Sequence, residues 1–197
     1  MKRILLLPLL LLASNLAHGL SLYEAIMDGP SEAPPNASPG VGYALLAYDP
    51  GAHTLQIDVA FSGLLGTTTA AHIHGPTALP DAGTAGVITT TPYFVGFPIG
   101  VTSGVYSHLL DLTLASSYRA GFLSSPPIGG STALAELALI DAMEDGTAYF
   151  NIHTTAFPGG EIRGFTHAVP EPGTWMAMIS FGALAGTVLV RRFRRCA

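Results

Sequence analysis

The sequence is poor in cysteine: its 197 residues include one, Cys196, the penultimate residue. A single cysteine cannot form a disulfide within the chain. A domain exported from the cytoplasm must therefore be stabilised by its hydrophobic core alone. The same count excludes a zinc or iron–sulfur site that is built from several cysteines.

Basic residues are scarce in the interior of the chain. Only Arg119 and Arg163 lie away from the two termini, whereas twelve of the 13 acidic residues fall between Glu24 and Glu161. Nucleic-acid binding depends on Lys and Arg side chains that neutralise phosphates. The acidic interior therefore excludes nucleic acid as a partner.

Motifs that carry catalysis are also absent. We find no serine-nucleophile motif, no phosphate-binding glycine loop and no paired-carboxylate spacing, so we expect a protein that is not an enzyme. Charged residues make up 11% of the chain and apolar residues 49%, with 23 Gly and 15 Pro. This composition is typical of a turn-rich β domain and not of a disordered chain.

The N-terminus has the pattern of a secretory signal peptide. Lys2 and Arg3 form a positively charged start, residues 4–13 are apolar, and small residues follow. We assign residues 1–19 to the signal peptide and residues 20–168 to the mature domain. The domain is then expected to fold outside the cytoplasm.

The domain is predicted to consist of short strands separated by turns. Apolar–polar alternation, Gly–Pro punctuation and one run of helical spacing give these elements: strands at 21–27, 41–48, 53–61, around 71–75, 87–90, 105–114, 147–153 and 161–165, and a helix at 132–143. This pattern favours a mainly β fold, an antiparallel sandwich or barrel, with one short helix inserted.

The last segment begins with a change of composition at Val169. Residues 174–190 carry no charge, which predicts a membrane-spanning helix at the short end of the usual range. An arginine cluster follows at once: Arg191, Arg192, Arg194 and Arg195. Positive charge tends to stay in the cytoplasm, so the Arg-rich tail is predicted to be cytoplasmic and the domain to face outward.

Residues 169–197 resemble a known sorting signal. Pro170, Glu171 and Pro172, followed by an apolar span and the arginines, are similar to the PEP-CTERM signal of Gram-negative bacteria. The resemblance implies export by the secretion machinery and a transient inner-membrane intermediate anchored through 174–190. It also implies cleavage by an exosortase and delivery to the cell surface or an exopolysaccharide matrix.

The central domain resembles the CHRD domain. Three motifs carry the resemblance: Glu32-Ala33-Pro34-Pro35, Ala71-His72-Ile73-His74-Gly75, and the run from Asn151 to Gly164 that contains Pro158-Gly159-Gly160-Glu161. The resemblance implies a Greek-key-type β-sandwich of immunoglobulin-like or superoxide-dismutase-like topology. The region 116–144 is longer than the corresponding region expected for the family, so the predicted helix is interpreted as an insertion.

Two histidines on one strand suggest a metal site. In an extended chain His72 and His74 share a face, and His153 on a neighbouring strand would supply a third imidazole. Imidazole is a ligand for copper and zinc. The pattern is similar to the His-x-His copper strand of Cu,Zn superoxide dismutases. By that resemblance, Arg163 of this chain would guide an anion to the metal. The chain lacks their bridging histidine and cysteine pair, so dismutase activity is not expected.

The alternative interpretation is a structural polar cluster. In it the three histidines join Asn151, Glu161 and Arg163, and the charged groups pair with one another or with an imidazole.

Two functions follow from these interpretations. The first is a non-enzymatic binding or structural module of the cell surface or matrix, with an exopolysaccharide or another surface protein as its partner. The second is a copper or zinc protein whose metal is held by His72, His74 and His153.

Overall fold

The computed structural model describes residues 19–170, which are organised around an eight-stranded antiparallel sheet. The strands are β1 (Ser21–Asp28), β2 (Val41–Asp49), β3 (Thr54–Ser62), β4 (Thr68–His74), β5 (Gly104–Asp111), β6 (Tyr149–Thr154), β7 (Ile162–Phe165) and β8 (His167–Ala168). The helices are a 3-10 turn (Ala115–Ser117), α1 (Ala120–Leu123) and α2 (Thr132–Glu144). The mainly β, antiparallel prediction is confirmed.

The predicted signal peptide, apart from Gly19, and the predicted membrane span at 174–190 lie outside the described residues. Within residues 19–170, no helix is long and apolar enough to cross a membrane.

Local sequence explains the central hairpin of the sheet. Strands β2 and β3 pair over their whole length, from Val41 opposite Ser62 to Asp49 opposite Thr54. The Asp49 carboxylate closes the turn between them, because it accepts hydrogen bonds from the backbone N–H groups of Gly51 (2.8 Å) and Ala52 (3.0 Å). The strands predicted at 41–48 and 53–61 therefore form a hairpin across Asp49-Pro50-Gly51.

The sheet is continuous, and in this it differs from the expected two-layer sandwich. The strand order is β4-β6-β7-β1-β2-β3-β5, with β8 on β1, and it forms a half-barrel. Strand β1 pairs with both β2 and β7, so backbone hydrogen bonding is never interrupted between two layers. The ring of Phe94 lies 5.8 Å from that of Phe150 on β6 and 6.2 Å from that of Tyr106 on β5. One loop aromatic thus joins strands near the two ends of the sheet.

The segment 87–90 is not a strand, contrary to the prediction. It runs beside β4 in isolated bridges, in which the Ile88 N–H donates to the Ile73 carbonyl (2.9 Å) and the Thr89 hydroxyl accepts from the Ile73 N–H (2.9 Å). The segment then turns away, since Thr90 donates instead to Ser117 (3.0 Å). A regular ladder therefore cannot form here.

Helix α2 forms where it was predicted. Its first turn is capped by Ser131, whose hydroxyl accepts from the Leu134 N–H at 3.3 Å. Leu139 and Met143 are fully buried on its inner side. The helix therefore closes one part of the core.

The registers of β4, β6 and β7 align the polar residues that concern function. His72 lies opposite Asn151, and Asn151 lies opposite Arg163. Residues directly opposite one another in antiparallel strands share a face. The alternate residues Ile73 and Ile152 are fully buried in the core. The two histidine-containing motifs therefore meet on the outer face of the sheet.

Gly164 on β7 is predicted to be intolerant of any side chain. A Cβ built there would collide with the backbone carbonyl of Ile26 on β1, which cannot move without breaking the sheet. We expect Gly164→Ala to lower the free energy of unfolding by about 1–3 kcal/mol, measured by urea denaturation. The control is Gly159→Ala, where a Cβ meets nothing within 4 Å. Equal stability of the two variants would contradict this close packing.

Candidate metal centre

Strands β4 and β6 bring the three predicted histidines together. His72 and His74 project from the same face of β4, and His153 follows on β6, opposite Ala70. One ring nitrogen from each lies within 4.8 Å of the other two. The ring centroids of His72 and His153 are 4.8 Å apart, and those of His72 and His74 are 4.6 Å apart.

Each imidazole is oriented by one backbone carbonyl. The Nδ1 atom of His72 lies 3.0 Å from the Pro92 oxygen, and that of His74 lies 2.9 Å from the Ala85 oxygen. The Nδ1 atom of His153 lies 2.9 Å from the Pro158 oxygen. A carbonyl only accepts, so every Nδ1 must carry the proton and donate it. Every Nε2 is then left with a lone pair, as in metal-binding histidines whose other nitrogen is hydrogen-bonded.

The three Nε2 atoms lack a donor among the described residues. The Nε2 atoms of His72 and His153 face each other at 3.0 Å, and in this tautomer both are acceptors. The Nε2 atom of His74 is buried and has no hydrogen-bond partner. Buried acceptors without a donor are costly, and a cation between them would remove that cost.

The surroundings keep these imidazoles neutral. Burial, together with the neighbouring histidines, lowers the pKa of His72 to about 3. Burial lowers the pKa of His74 to about 4 and that of His153 below its ordinary value. At neutral pH all three are therefore unprotonated. That is the form in which histidine binds metals.

Tyr149 and Arg163 form a layer beside the histidines. The Tyr149 ring stacks on His74 at 4.8 Å, nearly parallel, and the Arg163 guanidinium lies 4.8 Å above the Tyr149 ring. Arg163 also donates to the carbonyls of Ser31 and Gly83. The tyrosine ring thus separates Arg163 from His74. The anion-guiding role that the dismutase resemblance implies for Arg163 stays a prediction, and in the structure its guanidinium is engaged by this ring and two carbonyls.

Asn151 and Glu32 lie next to this layer. Both side chains are buried, and Glu32 Oε1 and Asn151 Oδ1 have no hydrogen-bond partner among the described residues. A Cβ on Gly160 would lie 2.5 Å from Glu32 Oε1 and 2.7 Å from Asn151 Oδ1, so these two oxygens face the same point. Burial raises the pKa of Glu32 to about 7, although the Arg163 charge, 3.9 Å away, opposes this.

Glu161 belongs to a different site from the histidines. Its fully buried carboxylate accepts four hydrogen bonds, from the Ser38 and Thr154 hydroxyls (both 2.6 Å) and the N–H groups of Leu65 (2.6 Å) and Gly66 (3.1 Å). Burial alone would raise the pKa of Glu161, but these four donors lower it. The predicted polar cluster is therefore divided, because Glu161 binds loops and not imidazoles or Arg163.

Sequence reasoning missed Tyr149 and the carbonyls that orient the imidazoles. Tyr149 has the same strand parity as Asn151 and His153, so alternation alone was a sufficient signal for it. Nothing local marks the carbonyls of Pro92 and Ala85, which reach the site only because their loops cross the sheet.

Comparison with known protein families matches two parts of the chain. Residues 23–166 match the CHRD domain, and residues 168–195 match the PEP-CTERM protein-sorting motif. The sorting motif implies an exported protein that passes through the membrane to the cell surface and is processed by an exosortase. Of its predicted residues the structure describes Pro170 only. No curated protein and no solved structure matches the chain.

Glu161→Gln is predicted to destabilise the domain by about 3 kcal/mol, because its amide presents a donor to groups that themselves donate. The lowered pKa means that the ionised carboxylate contributes stability above the unfolded value of 4.5. This contribution is lost as the pH falls through the folded pKa. We therefore expect the gap between wild type and variant, measured by urea unfolding at pH 7 and pH 3, to shrink in acid.

The exposed helix-end variant Asp145→Asn serves as the control and should unfold like the wild type at both pH values. A gap for Glu161→Gln that does not change between pH 7 and pH 3 would contradict the role of the ionised form.

Proposed function

The chain belongs to the CHRD domain family, and on that premise we propose that its domain binds a copper or zinc ion through His72, His74 and His153. The proposal makes the protein an exported metal-binding protein of the cell surface. The sorting motif accounts for the location, and the histidine trio accounts for the binding.

One observation carries the proposal: three Nε2 lone pairs converge, and none has a donor among the described residues. The three Nδ1 hydrogen bonds prevent any of these imidazoles from turning its N–H toward the others. Two acceptors 3.0 Å apart repel one another. They suit two ligands of one ion, since zinc binds histidine nitrogen at about 2.0–2.1 Å.

The chemistry of the ligands favours copper or zinc over other metals. Neutral imidazole is a borderline ligand that suits these ions, whereas calcium and magnesium prefer oxygen. The trio contains no carboxylate, because Glu161 is bound by Ser38 and Thr154 instead. The alternative of a self-contained polar cluster is weaker, since its acidic member faces other loops.

We propose a binding role without catalytic turnover, at the cell surface or in the exopolysaccharide matrix of a Gram-negative bacterium. An exopolysaccharide or another surface protein remains the predicted macromolecular partner. The metal would be stored or held for redox defence at that location.

Metal binding is testable on the full-length chain purified in detergent and dialysed against copper or zinc. We expect one ion per chain by inductively coupled plasma mass spectrometry. His72→Ala and His153→Asn should each lower the affinity at least about tenfold, because each removes one ligand. Two variants are used because His72 is buried and its loss could also affect folding.

The matched control is His108→Ala, which removes an imidazole on β5 that stacks on Tyr106 and takes no part in the trio. It should bind the metal as the wild type does. A wild-type chain that is folded by circular dichroism and yet takes up neither metal would refute the proposed function.

Sorting is testable separately from metal binding. Replacement of Pro170, Glu171 and Pro172 by alanine should leave uncleaved protein in the membrane fraction, because the exosortase signal is gone. Immunoblots of membrane and released fractions measure this. The metal-site variant His153→Asn is the control and should be released normally. Unchanged release of the triple-alanine variant would show that cleavage does not depend on this tripeptide.

A further inference from the structure

Among residues 19–170 the Arg119 side chain has no partner, although the domain is acidic. Residues 19–170 contain two Arg and no Lys, namely Arg119 and Arg163. Arg163 is buried, and its guanidinium lies over the Tyr149 ring and donates to two backbone carbonyls. Arg119 is exposed, and its guanidinium forms no hydrogen bond or ion pair with another described residue. Its charge is therefore available to a ligand.

The backbone holds Arg119 beside the loop that orients His74. Its N–H donates to the Ile88 carbonyl at 2.9 Å, next to the loop that covers β4. Its Nη1 lies 3.9 Å from where a Cβ on Gly86 would stand. Gly86 follows Ala85, whose carbonyl orients His74.

An ion held by three protein ligands keeps a coordination position open for an exogenous group. The acidic side chains of this domain would repel an anion from most of its surface, but Arg119 supplies a positive charge next to the loop that orients His74. A guanidinium pairs well with carboxylate, to which it can donate two parallel hydrogen bonds. The position of the Arg119 guanidinium therefore favours a carboxylate as the ligand.

We infer that the metal centre binds a carboxylate, which occupies the open coordination position while Arg119 pairs with its charge. This inference rests on the proposed metal site and adds the ligand class to it. The carboxylate belongs either to a free small acid or to a uronic acid residue of a polysaccharide, since both present the same group.

The test uses the full-length chain loaded with Cu²⁺ and titrated with sodium acetate, with the copper absorption and electron paramagnetic resonance spectra as readouts. We expect Arg119→Gln to retain the metal and to bind acetate about fivefold more weakly at low ionic strength, with a smaller difference at high salt. Arg119→Lys should restore part of the affinity, because it keeps the charge without the paired donors.

A second titration with a galacturonate oligomer separates the two sources of the carboxylate. Binding that is tighter per carboxylate than that of acetate would support the inference with a polysaccharide as the source. Equal binding would support it with a free acid as the source.

The control for net charge is Leu137→Glu, on the exposed side of α2, which changes the charge by the same amount as Arg119→Gln. It should bind acetate as the wild type does. If Arg119→Gln holds copper and binds acetate with unchanged affinity, this inference is overturned and the metal site stands. If the wild type holds no metal, the proposed function fails and this inference fails with it.

Discussion

The three hydrogen bonds from histidine Nδ1 atoms to backbone carbonyls are the constraint on which the proposed chemistry depends. A histidine that is free to change tautomer would let one imidazole donate to the next, and the trio would satisfy itself as an ordinary polar cluster. The carbonyls of Pro92, Ala85 and Pro158 remove that option. The lone pairs must then face one another, and burial prevents the histidines from escaping repulsion by protonation. We therefore propose a cation as the ligand that satisfies all three.

The buried polar groups of this domain serve two separate purposes. Glu161 has four donors around its carboxylate, so its interactions are complete and stabilise the junction between β7 and the neighbouring loops. The hydrogen bonding of the histidine trio is not complete, because no described residue donates to its Nε2 atoms. A satisfied buried group contributes to stability, whereas an unsatisfied one requires an explanation, for which we propose the metal ion. This contrast distinguishes the histidine trio on β4 and β6 from Glu161, which directly precedes β7.

Much of the sheet was predictable, because apolar and polar residues alternate along a half-buried strand and this alternation is visible in the local sequence. Alternation along Thr54–Ser62 and the Asp-Pro-Gly turn before it led to the observed β2–β3 hairpin. The segment 87–90 was wrongly predicted as a strand, because its backbone partners are divided between β4 and Ser117. A sandwich was expected and a continuous half-barrel was found, for a related reason. The pairing of β1 with β7 joins segments more than a hundred residues apart, and no local sequence pattern encodes such a pairing.

The sequence by itself determined which side chains share a face of a strand, so it identified His72, His74 and His153 as a possible group. It also identified the sorting motif, because both depend on spacing along one chain. Only the tertiary structure decided which nitrogen of each imidazole is free, that Glu161 faces loops, and that Arg119 and not Arg163 is the available cation. Those properties depend on carbonyls and charges contributed by loops that cross the sheet, and such crossings are a matter of three-dimensional packing.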